Sequence, residues 1–192
     1  PCGNIGLPFT EVDIKKKTIL AIECSSFQLS KLSQLRFNIA LLLNISYDHI
    51  DWHSSMNKYI KAKENIFKNQ VSNDYAIISV DDRFSKNIAD NFNKNFKGKL
   101  VKISTKKKID NGFYIINKSK TLTIYNSLKD KKIIIYKNKI RFLMSDANLQ
   151  NLLATYVINF ILKQKDENFI KSLSFLETPE HRMEFIGKYK NL

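Results

Sequence analysis

Polar residues that could do chemistry gather in four short stretches of the sequence. These stretches are Gly3-Asn-Ile-Gly-Leu-Pro8, Glu23-Cys-Ser-Ser-Phe-Gln-Leu29, Asn44-Ile-Ser-Tyr-Asp-His-Ile-Asp51 and Tyr59-Ile-Lys-Ala-Lys63. Their polar residues fall at the ends of predicted strands and in loops, which is where open parallel sheets bind ligands. The pattern predicts one ligand site assembled from segments that are distant along the chain.

Glu23 and His49 are the two residues of these stretches best suited to bind a cation. Glu23 ends a short apolar strand, where a carboxylate is costly unless a cation or a hydrogen-bond donor pairs with it. His49 follows the end of the neighbouring predicted strand. Such a pair could bind a divalent metal ion or serve in acid–base chemistry. The pattern alone leaves a structural role for both residues open.

The elements that must position these residues alternate between strands and helices. Strands are predicted at 18–24, 37–45, 75–80 and 100–104, with helices at 27–35 and 55–68 and a third helix that is capped by Asp81-Asp82 and runs to Phe92. The run 37–45 is almost continuously apolar, as in strands buried on both faces. The alternation predicts an α/β fold with a mostly parallel sheet flanked by helices.

Short β-rich runs joined by polar turns follow, and they predict a small antiparallel β patch appended to the parallel sheet. The runs are 112–116, 121–125, 132–136 and 139–143. The longest helix is predicted from Asn148 to Lys163, and Asp166 is expected to cap a shorter helix that ends near Leu176. We expect residues 1–176 to form one domain and residues 177–192 to form a linker.

The 192 residues include 32 Lys and Arg against 18 Asp and Glu, a formal net charge of +14. This charge suits nucleic acid or polyphosphate ligands, but the basic residues are dispersed and no nucleic-acid-binding motif accompanies them. We therefore expect solvated surface lysines and no nucleic-acid partner. The longest apolar run, 39–45, is far shorter than the about 20 residues that span a bilayer, so no membrane partner is expected. Two cysteines suggest a reducing compartment, the cytoplasm, and we expect a monomer.

Taken in this order and spacing, the four stretches resemble the Mur ligases, which build the stem peptide of peptidoglycan. The resemblance extends to the Val80-Asp-Asp82 turn, the helix at Asn148 and His181-Arg182. It implies a P-loop-NTPase-like central ATPase domain that takes part in ATP-dependent amide bond formation. The Ser-Ser-Phe-Gln-Leu signature at 25–29 implies the branch that adds D-glutamate to UDP-N-acetylmuramoyl-L-alanine.

The resemblance further implies two Mg²⁺ ions held by Glu23, His49 and Lys63, which are the predicted catalytic and metal-binding residues. Lys63 matches a lysine that family members carry as a carbamate. Carbamylation requires a neutral amine, which burial favours, and it supplies the oxygen ligand that Mg²⁺ prefers. Lys63 follows Tyr59 by four residues, a spacing that puts both on one helix face and allows Lys63 to point inward.

Substrate contacts are implied for Asn4, Ser25 and Gln28. The glycines beside Asn4 would allow the backbone to approach a ligand closely. Capping of the following helix accounts equally well for Ser25 and Ser26. A further group beside the site is expected to orient the metal ligands or cap helices: Asp48, Asp51 and His53.

ATP contacts are implied for Asn148, Asn151 and Arg182. The two asparagines match the adenine-contacting residues of a Gly-x-His-Asn-x-x-Asn motif, which here reads Ser145-Asp-Ala-Asn-Leu-Gln-Asn151 and lacks the Gly and the His. A plain helix cap at Asn148 is therefore the alternative. The guanidinium of Arg182 suits phosphate oxygens.

The implied reaction begins when the L-alanine carboxylate of the substrate attacks the γ-phosphate of ATP, and the D-glutamate amine then attacks the acyl phosphate. The sequence contains no Gly-Lys-Ser/Thr phosphate loop, since its two Gly-Lys pairs continue as Gly98-Lys-Leu100 and Gly187-Lys-Tyr189. We expect the chain alone to be inactive and to bind nucleotide weakly. The alternatives are another Mur or folylpolyglutamate-type ligase, a non-catalytic basic binding module and a nucleic-acid binder.

Overall fold

The computed structural model describes residues 2–4, 6–13, 19–140 and 145–176. Arg182 and the predicted linker 177–192 lie outside the described residues. The described strands are β1 Cys2–Gly3, β2 Ile22–Glu23, β3 Ile39–Leu42, β4 Tyr75–Ser79, β5 Lys99–Ser104, β6 Gly112–Asn117, β7 Thr121–Asn126 and β8 Lys131–Tyr136. The described helices are α1 Ser26–Ser30, α2 Ile50–His53, α3 Met56–Glu64, α4 Arg83–Asn95, α5 Asp146–Ile161 and α6 Asp166–Ser172.

Strands β3 to β8 form one six-stranded sheet in chain order. The first four strands are parallel, and β6, β7 and β8 are antiparallel neighbours. This confirms the α/β class and the antiparallel patch, which continues the parallel sheet directly. Since parallel strands share one carboxyl edge, the segments that follow β3, β4 and β5 emerge on the same side of the sheet.

Both faces of the central strands are buried, because their residues alternate between two apolar layers. Ile77 of β4 and Ile103 of β5 pack in one layer with α5 and α6. Ala76 and Ile78 of β4 pack in the other layer, with Tyr59 of α3 and apolar residues of α4. The sheet therefore holds α3 and α5 on opposite sides.

Two helix boundaries differ from the sequence prediction. Helix α5 begins at Asp146 because the Ser145 hydroxyl caps it, accepting a hydrogen bond from the Asn148 amide at 3.2 Å. Asn148 is thus inside the first turn, and the prediction that it caps the helix is wrong. Helix α6 has Lys165 before its first turn, with no side-chain capping bond, and it ends at Ser172, so the predicted Asp166 cap is also wrong.

Other elements are shorter than predicted. Only Ile22–Glu23 of the run 19–24 is a strand. The predicted helix 55–68 is α3 followed by a 3₁₀ turn at Asn65–Phe67, and the Ser55 hydroxyl caps α3 by accepting a hydrogen bond from the Lys58 amide. Lys137–Lys139 forms a 3₁₀ turn where a strand was predicted to start, and 141–144 lie outside the described residues.

The end of the sheet opposite the carboxyl edge is held by a buried carboxylate. The Asp74 side chain is 2% exposed and accepts bonds from Arg36 Nε at 2.7 Å and Arg36 Nη2 at 2.9 Å. The Val71 amide and the Asn38 side chain donate to the same carboxylate. Chiefly because of the Arg36 hydrogen bonds, the pKa of Asp74 lies below its usual value.

We expect Asp74→Asn to lower the free energy of unfolding by about 1.5–3 kcal/mol, because it removes charge-assisted bonds from a buried site. Since the pKa of folded Asp74 is lowered, its contribution is complete above the unfolded-state pKa of about 3.9 and is lost as the pH falls through the folded-state pKa. Urea unfolding at neutral and acid pH measures both effects. The exposed Asp110→Asn is the matched control, and equal stability of the two variants would contradict the assignment.

Candidate active site

The Gly3-Asn4 segment and Glu23 are joined in a separate two-stranded parallel sheet, β1–β2. The Asn4 amide donates to the Glu23 carbonyl at 2.8 Å, and Asn4 Nδ2 lies 3.4 Å from Glu23 Oε1. Gly3 has φ +109°, and a Cβ there would lie 2.3 Å from the Glu23 carbonyl oxygen. The glycine is therefore required for close approach to Glu23 itself.

Glu23 and His49 do not follow neighbouring strands of one sheet, so this sequence expectation is wrong. The backbone of β2 pairs with β1, whereas β3 pairs with β4. Backbone hydrogen bonds from Cys2 to Ala21 and from Asn4 to Glu23 join β2 to β1. Any convergence of the two side chains depends on the segments that follow β2 and β3.

Helix α1 links those two segments. Ser25 caps it in a reciprocal arrangement with Gln28: the Gln28 amide donates to Ser25 Oγ at 3.2 Å, and the Ser25 amide donates to Gln28 Oε1 at 2.9 Å. Ser26 Oγ lies 2.9 Å from Nε2 of His53, which ends α2. Ser25 thus caps α1, as the capping alternative expected, whereas Ser26 is the first residue of the helix and contacts His53 instead.

His49 lies in the tight turn before α2, with φ 52°. Its Nε2 is 3.3 Å from Asp48 Oδ2, and its amide donates to Asp48 Oδ1 at 2.9 Å. Its ring centroid is 4.9 Å from that of Phe27 of α1 and 6.2 Å from that of Tyr59 of α3. Three segments of the chain therefore fix the imidazole while it stays exposed.

Lys63 lies one turn after Tyr59 on α3, with Nζ 5.2 Å from the Tyr59 ring centroid. The side chain is half-buried, and this desolvation lowers the pKa of Lys63, while the negative charge of Asp48 raises it by less. His53 has its own pKa lowered, first by burial and then by the positive charges of His49 and Lys63. Lys63, His49 and Asp48 therefore share one electrostatic neighbourhood.

The donor set suits a hard cation in its chemistry. Carboxylate oxygens of Asp48 and Glu23 are ligands of the kind that Mg²⁺ takes, and a lysine with a lowered pKa is open to carbamylation. No group of three or more His, Cys, Asp or Glu side chains is arranged to hold a metal ion among the described residues.

The first two turns of α5 lie at the carboxyl edge of the large sheet. Gln150 Nε2 is 3.4 Å from Ser79 Oγ at the end of β4, and Gln150 Oε1 is 3.4 Å from Asn44 Nδ2 after β3. Asn148 lies in the first turn of α5, and Gln150 and Asn151 follow in the second. The predicted nucleotide-contacting asparagines thus sit at the edge where parallel sheets bind ligands.

Asp81 and Gln150 were not identified from the sequence as part of this edge. Asp81 accepts hydrogen bonds from Ser104 Oγ at 2.5 Å, the Thr105 amide at 2.8 Å and Thr105 Oγ1 at 3.0 Å, and these bonds lower its pKa despite its burial. Asp82 alone caps α4. The available signal was the position of Asp81, which directly follows a buried strand with a helix cap after it.

The architecture defines an α/β protein with a parallel sheet between two helix layers and its polar residues gathered at one edge. A family model described as "Mur ligase middle domain" matches residues 4–159. The chain therefore belongs to the Mur ligase middle-domain family.

Curated relatives named "UDP-N-acetylmuramoylalanine--D-glutamate ligase" match almost the whole chain. The protein of Natranaerobius thermophilus is 32% identical over 186 residues, covering 96% of this chain and 39% of the relative. That of Clostridioides difficile is 33% identical over 192 residues, covering 99% of this chain and 41% of the relative. The chain thus spans about two fifths of the length of these relatives.

Solved Mur ligases share the fold. A crystal structure of MurF from Acinetobacter baumannii matches with a TM-score of 0.65 at 15% identity, covering 87% of this chain and 35% of that one. A UDP-N-acetylmuramoyl-L-alanyl-D-glutamate--2,6-diaminopimelate ligase matches with a TM-score of 0.63 at 18% identity, covering 81% of this chain and 32% of that one. In the described part of this chain, no helix is both long and apolar enough to cross a membrane.

We expect Gly3→Ala to separate β1 from β2, because its Cβ would overlap the Glu23 carbonyl and its φ is unfavourable for alanine. The loss should be about 1–3 kcal/mol locally, seen as faster hydrogen exchange of the Asn4 amide. Thr10→Ala, an exposed change in the same region, is the control. Unchanged exchange at Asn4 in the glycine variant would show that the pairing does not need Gly3.

Proposed function

We propose that this chain forms the ATP-binding and metal-binding part of a ligase that joins D-glutamate to UDP-N-acetylmuramoyl-L-alanine in peptidoglycan synthesis. The names of the relatives that match 96–99% of the chain support this substrate pair over other Mur and folylpolyglutamate-type ligases. The ligase would act in the cytoplasm as a monomer. The chain by itself is proposed to be inactive.

The partial burial of Lys63 is the observation that carries the proposal. A lysine in a chain of net charge +14 is ordinarily a solvated surface residue, yet this one is half-buried against Tyr59 and its pKa is lowered. Burial favours the neutral amine, which is the form that reacts with CO₂ to give a carbamate. The charge of Asp48 acts on the same amine, so a modified Lys63 would stand beside the His49 turn.

Glu23, His49 and the carbamate of Lys63 would hold two Mg²⁺ ions, which neutralise charge on a transferring phosphoryl group. Asp48 orients His49, since its carboxylate contacts both the imidazole and the amide of that residue. Phe27 and Tyr59 confine the imidazole between α1 and α3. These contacts would hold the His49 imidazole in place for a metal ion.

The remaining assignments divide between the two substrates. Asn4, Ser25 and Gln28 would contact the UDP-linked substrate beside Glu23. Asn148 and Asn151 would contact adenine from the first two turns of α5. Arg182 would bind ATP phosphates. The L-alanine carboxylate would attack the γ-phosphorus of ATP, releasing ADP, and the D-glutamate amine would displace phosphate from the acyl phosphate.

We expect ¹³C-labelled bicarbonate to give a carbamate NMR signal from this chain. Its intensity should rise with pH through the lowered pKa of Lys63, because only the neutral amine reacts. Lys63→Ala should remove the signal, whereas Lys94→Ala, an exposed lysine of α4, should retain it. A signal that survives in the Lys63 variant would assign the modification elsewhere.

Ligation itself is tested with a full-length protein that carries this chain. We expect ATP-dependent consumption of D-glutamate with UDP-N-acetylmuramoyl-L-alanine, and a loss of at least about 10²-fold in kcat for Glu23→Gln or Lys63→Ala. Lys94→Ala should keep the original rate. Ligation of a different amino acid in place of D-glutamate would assign the chain to another branch of the family.

A further inference from the structure

A cavity of about 400 Å³ that is widely open to solvent lies beside α3, apart from the residues assigned to the metal ions and ATP. The aromatic side chain of Trp52 and the ammonium-bearing Lys58 and Lys61 line it, together with the polar groups of Ser30, Ser54 and Asn65. Its volume falls within the range of small-molecule sites. The mixture of one aromatic surface, two cations and neutral polar groups indicates what class of ligand would fit.

Trp52 supplies a rigid aromatic wall. The rings of Phe27, at 4.7 Å, and His53, at 4.5 Å between centroids, both meet the indole in a T-shaped arrangement. These contacts fix its orientation, yet 49% of Trp52 remains exposed. A planar ring stacked on such a surface gains about 1–3 kcal/mol for a nucleobase.

Lys58 and Lys61 supply positive charge that is not neutralised nearby. They are three residues apart on α3 and so adjoin on one helix face. Neither forms an ion pair within the described part of the chain, and no carboxylate lines the cavity there. The positive charge of Lys61 lowers the pKa of Glu64, but this effect is smaller than that of the burial of Glu64. The cavity therefore favours an anion.

The cavity and the Lys63 side of α3 are different faces of one helix. Lys58, Lys61 and Asn65 recur at helical spacing on the cavity face. Tyr59 lies about 100° around the helix axis from Lys58, and Lys63 follows Tyr59 on that second face. His53 lies between the two faces: it lines the cavity, and its ring centroid is 5.3 Å from that of Tyr59. A ligand in the cavity would not displace ligands of the proposed metal site.

We propose that this cavity binds a nucleoside monophosphate without a metal ion, the base stacking on Trp52 and the phosphate contacting Lys58 and Lys61. The hydroxyls of Ser30 and Ser54 and the amide oxygen of Asn65 offer hydrogen bonds to ribose or to a base edge. Asn65 already donates its amide hydrogen to the Leu29 carbonyl at 3.0 Å, so its oxygen is the atom available. Lysine serves here as a point charge for phosphate.

Trp52 is the sole tryptophan of the chain and lines this cavity, so tryptophan fluorescence reports on the surroundings of that one side chain. The experiment titrates the chain with AMP, adenosine and inorganic phosphate, each in the presence of EDTA to prevent magnesium-dependent binding. We expect AMP to quench the emission with a dissociation constant between about 10 μM and 1 mM. Adenosine and phosphate should each bind at least about tenfold more weakly, because each makes only one of the two kinds of contact.

The double variant Lys58→Gln/Lys61→Gln should weaken AMP binding by at least about tenfold. The affinity of this variant for AMP should also depend less on salt concentration than the affinity of the unchanged chain. The matched control is Lys118→Gln/Lys120→Gln, which removes the same charge from the exposed β6–β7 turn. Thermal unfolding of both variants checks that the fold is intact.

Three results would overturn the proposal: no quenching by AMP, equal effects of phosphate and AMP, or equal affinities in the two double variants. Isothermal titration of Trp52→Phe separates the stacking contribution, since phenylalanine keeps the ring packing against Phe27 but offers less surface to the base. If this substitution leaves the affinity for AMP unchanged, the base does not stack on Trp52 and the proposal is wrong. None of these readouts involves ligation, so they succeed or fail independently of the proposed ligase function.

Discussion

Burial of β4 on both faces is the constraint on which the positions of the candidate residues depend. Because Ile77 packs against α5 while Ala76 and Ile78 pack in the layer of α3 and α4, neither helix layer can shift without exposing apolar surface of the same strand. Helix α3 carries Lys63, and the first turn of α5 carries Asn148. Strand β4 therefore fixes the position of Lys63, on one side of the sheet, relative to that of Asn148, on the other side.

The chemical character of Lys63 comes from desolvation in a chain that is otherwise rich in solvated lysines. Burial lowers the pKa of both Lys63 and His53, so the neutral form of each side chain is favoured. The negative charge of Asp48 opposes this lowering of the pKa at Lys63, and its carboxylate also orients His49. The carboxylate therefore adds negative charge beside the side chains of a lysine and a histidine. Helix α3 thereby presents two kinds of lysine, a desolvated one beside Tyr59 and two exposed ones that line the Trp52 cavity.

The separate β1–β2 sheet shows how a short segment can be positioned with little apolar burial. Its close approach requires a glycine at position 3, and its backbone bonds leave the side chains of Asn4 and Glu23 in contact. From there, the Ser25 cap and the Ser26–His53 contact connect Glu23 to the His49 turn. Side-chain bonds along α1, and not a shared sheet, are what bring these two sequence stretches into one region.

Alternation of apolar and polar residues was enough to predict β3 to β7, α4 and the α/β class, because burial of one strand face or two leaves a periodic signal in the sequence. Local chemistry also predicted the cap of α4 at Asp81-Asp82, where Asp82 is the capping residue, since a cap needs only a hydroxyl or carboxylate two or three residues from an amide. The β2–β3 adjacency was mispredicted because strand order depends on backbone pairing between distant segments, here Cys2 with Ile22. Only the tertiary structure could decide that Lys63 is desolvated while Lys58 and Lys61 are not, or that Gln150 reaches Ser79 and Asn44. Such properties depend on which residues from elsewhere in the chain pack around a side chain, and no spacing along the sequence encodes them directly.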